Sequence, residues 1–163
     1  MSKARKVHRK SKTTKFATWN LNGRLHEPLR QEELFRDMSG KGIYFAALQE
    51  TGWKMEAEVN GQKGDQIINF ESNIEGYRGL GFYISPAWKE RIVKSKLVNN
   101  RIAVIRFKAW EKEELVIINV YGPTMVRTID DPETTEEFFN NLKKTYIYGR
   151  EKKHSSSVYR RRF

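Results

Sequence analysis

With 163 residues and 19.3 kDa, the chain has room for one domain, or one domain with tails. The absence of cysteine excludes a disulfide framework and any thiolate zinc site. No apolar run approaches the roughly 20 residues of a membrane span, and the start is basic rather than a signal peptide, so a soluble intracellular protein with no membrane partner is expected. The formal charge of +11 is unevenly placed. Residues 1–15 hold seven Lys+Arg and no acid, and residues 150–163 hold six Lys+Arg with Glu151, leaving 18 basic residues against 19 acids between them. The folded body is near neutral. Basic tails attract polyanions such as DNA without reading sequence, and the N-terminal one also suits nuclear targeting, although many such runs are only solvated ends.

In chain order, Phe16–Asn20 is a short β-prone run directly after the basic tail. Pro28 then opens a helical stretch with Leu34, Phe35 and Met38 at three- and four-residue spacing, closed by Gly40 and Gly42. Ile43–Gln49 is a nearly continuous apolar run, as expected of a strand covered on both faces. Strand, helix, strand is a βαβ-like opening and predicts a layered α/β domain. Beyond it, IINF, YRGLGFYIS, IVKSKLV, RIAVIRF and LVIINVY read as successive short strands joined mostly by tight turns. Asp130 or Asp131 before Pro132 predicts a helix start, with Phe138, Phe139 and Leu142 as its buried stripe. Residues 145–149 (TYIYG) are expected to form a last strand, and the apolar pattern stops after Gly149.

Three strand ends carry polar groups. In Trp19-Asn20-Leu21-Asn22-Gly23 a strand ends in two amides and a glycine, which suits either a ligand loop or an ordinary Asn-Gly turn. In Leu48-Gln49-Glu50-Thr51 a carboxylate follows a buried strand, where ligands of open α/β sheets bind; it suits a hard cation such as Mg²⁺, or a cap or solvated acid. In Asn119-Val120-Tyr121-Gly122-Pro123 the Tyr121 hydroxyl could meet a phosphate, or the ring could simply pack. The scattered His8, His26 and His154 make no zinc motif, and GQKGDQ lacks the ending of a P-loop.

The order TWNLNG, ALQET, YRGLGFYIS, RIAVIRF, INVYGPT resembles the endonuclease/exonuclease/phosphatase superfamily, from about Lys15 to Gly149. Its nearest flavour is the endonuclease domain of non-LTR retrotransposons and the craniofacial-development-protein-2-like sequences. The resemblance implies an α/β sandwich, mostly antiparallel with flanking helices, that hydrolyses phosphodiester bonds of DNA with Mg²⁺ or Mn²⁺. It implies Glu50 as the metal-binding glutamate, Asn20 beside it as support for metal and phosphate, Asn22 as a further metal-site amide, and Tyr121 as the phosphate contact. Asn20, Glu50 and Tyr121 are thus the implied catalytic set.

The family pattern then breaks. Where a strand ending in Gly-Asp-Phe-Asn is expected, Arg150 follows Gly149, and no later Ser-Asp-His occurs. The expectation is therefore a C-terminally truncated domain over 16–149, between basic, disordered tails at 1–15 and 150–163, with half of its metal site and little of its second sheet. Such a chain is expected to be inactive or crippled, to hold its metal weakly, and to self-associate through an uncovered sheet face lined by Ile102, Val104, Ile118 and Val120. The alternative function is a non-catalytic nucleic-acid-binding remnant acting through its basic tails. Glu56, Glu58 and Asp65 are the nearest downstream acids that could add a second ligand.

Overall fold

Short runs of buried, largely apolar residues set the first layer. The computed structural model describes residues 13–71, 79–109, 113–123 and 134–158. Strand β1 (Lys15–Asn20) leads through helix α1 (Pro28–Lys41) into β2 (Ile43–Gln49), and β1 and β2 pair in parallel, as the βαβ pattern predicts. Helix α1 starts on Pro28, whose missing N–H costs nothing at that position, and ends on Gly42 at φ 65, a left-handed conformation natural to glycine. Gly40 lies inside the helix rather than at its end. Leu34 and Met38 are its buried residues.

Strands β3 (Ala57–Asn60), β4 (Gln66–Asn69) and β5 (Leu80–Ile84) complete a mixed five-stranded sheet in the order β1-β2-β5-β4-β3. The short helix α2 (Pro86–Lys89) connects it to a second, antiparallel sheet of β6 (Ile92–Asn99), β7 (Ile102–Lys108) and β8 (Glu114–Val120). The fold is an α/β sandwich. Its central core lies between the sheets: Phe45, Ile68, Phe82 and Ile84 of the first meet Ala103, Ile105 and Phe107 of the second. Phe107 stacks on Phe45 at 5.5 Å and takes Trp88 edge-on at 5.3 Å. A second core, with Leu34, Met38, Ala46, Leu48, Ile67 and Tyr83, fills the opposite face of the first sheet beneath α1. Both faces of β2 are thus covered, which explains its unbroken apolar run.

Two expectations are corrected. The inner face of the second sheet carries Ala103, Ile105 and Phe107, not Ile102, Val104, Ile118 and Val120, and it is covered by the first sheet. Because strand side chains alternate, a one-residue error in phase exchanges the faces. Residues 145–149 are not a strand: they lie within helix α3 (Thr135–Val158), which runs on past Arg150. The aromatic, β-branched composition of TYIYG suggests a strand, but continuation of an established helix prevails over local propensity. The proposed start at Asp130 or Asp131 lies outside the described residues, as do residues 1–12 and 159–163 of the tails. Phe138 is buried as expected, whereas Phe139 is 59% exposed.

Helix α3 begins at a capping box. The Thr134 hydroxyl accepts from the Glu137 N–H at 3.2 Å, and the Glu137 carboxylate accepts from the Thr134 N–H at 2.8 Å. The Thr134 hydroxyl also donates to that carboxylate at 2.9 Å, and the bonds donated by the Thr134 N–H and then by the hydroxyl hold the Glu137 carboxyl below its ordinary value. A carboxyl lowered on folding stabilises the fold above its unfolded value, and the contribution disappears as pH falls through the folded value. Glu137→Gln should therefore melt below the wild type at neutral pH, and the two melting temperatures should converge in strong acid. A constant difference across that range in thermal melts would rule out the titrating cap.

Candidate active site

The three polar strand ends meet at one edge of the sandwich. β1 and β2 run parallel, and β8 in the facing sheet finishes beside them, so residues far apart in sequence become neighbours. The Asn20 Nδ2 donates to Glu50 Oε1 at 2.8 Å, and the Tyr121 hydroxyl donates to the same oxygen at 3.0 Å. The Asn20 Oδ1 accepts from the Asn22 backbone N–H at 3.0 Å. Asn20 thus acts through its amide nitrogen on Glu50 and through its oxygen on the loop. Asn22 contributes its backbone here, while its side chain is exposed. Glu50 and Tyr121 are half-buried and Asn20 is exposed, so the carboxylate is fixed yet reachable.

The backbone around Glu50 is unusual. Glu50 itself has φ 50, and Asn22 and Arg24 have φ 52 and 72. Non-glycine residues reach this left-handed region at a cost on the order of 1–3 kcal/mol, so the surroundings must hold them there. Three bonds do so: the N–H groups of Leu21, Gly23 and Leu25 donate to the carbonyls of Gln49, Glu50 and Thr51 at 2.9, 2.6 and 2.8 Å. The two loops approach so closely that a Cβ on Gly52 would lie 2.7 Å from the Gly23 Cα. Gly52 is also at φ 66, so only glycine suits it.

Beneath the site, Asn119 ties the two sheets together. Its Nδ2 donates to the carbonyls of Leu48 and Gly81 at 2.8 and 2.9 Å, and its Oδ1 accepts from Gln49 Nε2 at 2.6 Å. Gln49 Nε2 also donates to the Thr18 hydroxyl at 3.1 Å. Behind Tyr121, the Arg101 guanidinium lies 5.5 Å from the ring centroid and donates to the carbonyls of Tyr121 and Gly122 at 3.3 and 3.0 Å. Arg101 is only 4% exposed.

Sequence reasoning named the three strand ends but not Asn119, Gln49 and Arg101 as their supports. Amides inside otherwise apolar runs (LQ, IINV) were the available signal, since buried polar groups need partners. The other acids do not join Glu50. Glu58 accepts from Gln66 Nε2 at 2.9 Å on the far edge of the sheet. Asp65 precedes β4 at the end of the sheet opposite Glu50 and accepts from the Tyr83 hydroxyl at 3.4 Å. Burial first, and the Asp65 charge second, pushes the Tyr83 phenol well above its ordinary value. Glu56 is exposed. Among the described residues, no group of three His, Cys, Asp or Glu side chains is placed to hold a metal, and no helix is long and apolar enough to cross a membrane.

No family model matches the sequence, and no curated protein does. Among solved structures, the chain is similar to the endonuclease domain of TRAS1, a telomere-specific non-LTR retrotransposon, at 16% identity and a TM-score of 0.47. That alignment covers 78% of this chain and 51% of the other, so the chain spans about half its length.

The Asn119 tie is testable. Removing it leaves two buried carbonyls and the Gln49 amide short of partners, at about 1–3 kcal/mol for each such group. Asn119→Ala should therefore lose about 2–5 kcal/mol in urea unfolding, whereas Tyr121→Phe, which deletes one part-exposed hydrogen bond, should lose about 1 kcal/mol. Equal losses for the two variants would show that Asn119 is not what joins the sheets.

Proposed function

We propose that Glu50, held by Asn20 and Tyr121, is the carboxylate of a Mg²⁺-dependent phosphodiesterase site of the endonuclease/exonuclease/phosphatase type, with DNA as the substrate class. The observation that supports this reading is the convergence of Asn20, Glu50 and Tyr121 from three separate strand ends. One carboxylate beside amide and hydroxyl groups suits a hard cation that keeps most of its waters and shares a phosphate with the protein. When bound there, Mg²⁺ would neutralise charge building on the phosphate oxygens. The chain's own groups supply the rest of the positioning: the Tyr121 hydroxyl and the Asn20 amide are donors within reach of the carboxylate, and either can turn to a phosphate oxygen.

Proton removal from the attacking water is the weak point. Such a step needs a base of suitable pKa within hydrogen-bond reach, worth about 10²–10⁴ in rate. Among the described residues, no group of three His, Cys, Asp or Glu side chains forms around Glu50. On this reading slow hydrolysis and weak metal affinity are expected.

With millimolar Mg²⁺ or Mn²⁺, purified chain should nick supercoiled plasmid slowly, and chelation or Glu50→Ala should stop it. Nicking no faster than that of Glu50→Ala defeats the catalytic reading and leaves nucleic-acid binding through the basic tails as the function. In calorimetry without DNA, Mg²⁺ should bind at about millimolar Kd, near −4 kcal/mol. Micromolar binding abolished by Glu50→Gln would instead mean that a second protein carboxylate completes the site.

A further inference from the structure

The outer face of the second sheet, away from Glu50, carries a basic groove. Helix α3 crosses this face and leaves a groove of about 350 Å³ between itself and β6–β8. That volume is at the lower end of small-molecule sites. Its floor is apolar, formed by Val93, Val98, Val104 and Val116. Its rim carries four cations, Lys94, Lys96, Arg106 and Lys144. Arg106 is paired with Glu114 at 3.1 Å. Among the described residues, no carboxylate lies within ion-pair distance of Lys94, Lys96 or Lys144. Like charges gathered without counter-charge repel one another, so an anion that enters the groove relieves that repulsion.

Tyr148 of α3 organises two of these cations. The Lys96 ammonium lies 5.5 Å from its ring centroid and the Arg106 guanidinium 5.7 Å. The face of an aromatic ring attracts cations, so Tyr148 restrains both side chains on the rim. Lys94 and Lys96 are two residues apart on β6 and both line the groove, about 6.7 Å apart along the strand by the usual rise.

We infer that this groove binds single-stranded nucleic acid, with phosphates on Lys94, Lys96 and Lys144 and a base against the valine floor. The combination of rim and floor selects this class. Phosphodiesters supply repeated negative charge, and an unpaired base supplies a flat face whose apolar surface the valines can cover. A duplex keeps its base faces stacked inside and would leave the floor unused. An acidic peptide matches the charge but brings no flat apolar group in register with it. The groove is on the opposite face of β7 from the inter-sheet core, and it needs no chemistry at Glu50. Loss of cleavage at Glu50 and loss of binding here are therefore separate outcomes.

The test measures fluorescence anisotropy of a short labelled oligothymidylate with the full chain across a salt series. Residues 1–12 contribute equally to wild type and variants, so differences report the groove. Lys94→Gln/Lys96→Gln/Lys144→Gln should bind at least tenfold more weakly and flatten the log–log salt slope by about 2, since each single-strand phosphate contact contributes about 0.7. The matching triple arginine variant should bind like the wild type, which guards against misfolding. Tyr148→Ala should bind several-fold more weakly, while Tyr148→Phe, which keeps the ring, should not. Unchanged affinity and slope in the glutamine variant overturn the proposal. So does an equal loss for duplex of the same sequence, which would indicate a plain phosphate surface, and so does equal displacement by polyglutamate, which would indicate an acidic-peptide site.

Discussion

A single buried amide determines whether the two sheets of this protein meet in a useful register. Asn119 is 1% exposed and spends its amide nitrogen on Leu48 and Gly81 in the opposite sheet and its oxygen on Gln49. Hydrophobic burial is non-directional and specifies such a register less sharply than directed bonds do. Directed hydrogen bonds in a dry interior do specify it, since any slip leaves several polar groups unpaired. Tyr121 stands two residues beyond Asn119 on the same side of the strand, so fixing Asn119 against Leu48 also fixes the Tyr121 hydroxyl against Glu50. The core and the site are thus positioned by one interaction.

The second constraint is local. Glu50 leaves its strand in a left-handed conformation, and the loop opposite contains two more such residues, Asn22 and Arg24. Strain of this kind persists only where the surroundings over-determine it. Here the surroundings are the three backbone bonds between residues 21–25 and 49–51, together with the contact between Gly23 and Gly52. The consequence for the site is rigidity. The Glu50 carboxylate approaches Asn20 and Tyr121 because its own backbone cannot continue as a strand.

Much of this was legible in the sequence, and the failures have identifiable causes. The βαβ opening and the strands from IINF to LVIINVY follow from apolar periodicity, whereas the meeting of Asn20, Glu50 and Tyr121 was implied by the family resemblance alone. Strand β3 escaped notice because AEVN is too short and polar to show a period. The phase of the second sheet was misread because four consecutive buried residues in β7, Ile102 to Ile105, hide which face is which. The continuation of α3 through TYIYG was missed because local propensity there contradicts the helix that precedes it. The roles of Asn119 and Arg101 depend on contacts 38 or more and 20 residues away along the chain, and neither spacing nor composition reports such contacts.

The electrostatics of the strand end narrow what it can hold. The Glu50 carboxylate accepts from the neutral donors of Asn20 and Tyr121, and its own charge would repel a phosphate brought beside it. At about 4 Å that repulsion is on the order of 4 kcal/mol near a protein surface. Two neutral hydrogen bonds, each worth about 1 kcal/mol net, do not offset it. On the proposed reading, a divalent cation between the two anions would reverse the sign of the interaction, so that cation and phosphate would bind together. The Arg101 guanidinium behind the Tyr121 ring adds positive charge from the protein side while holding the 121–122 carbonyls in place. If the proposed function holds, a strand end built this way would favour an anion that arrives with its metal over either one alone.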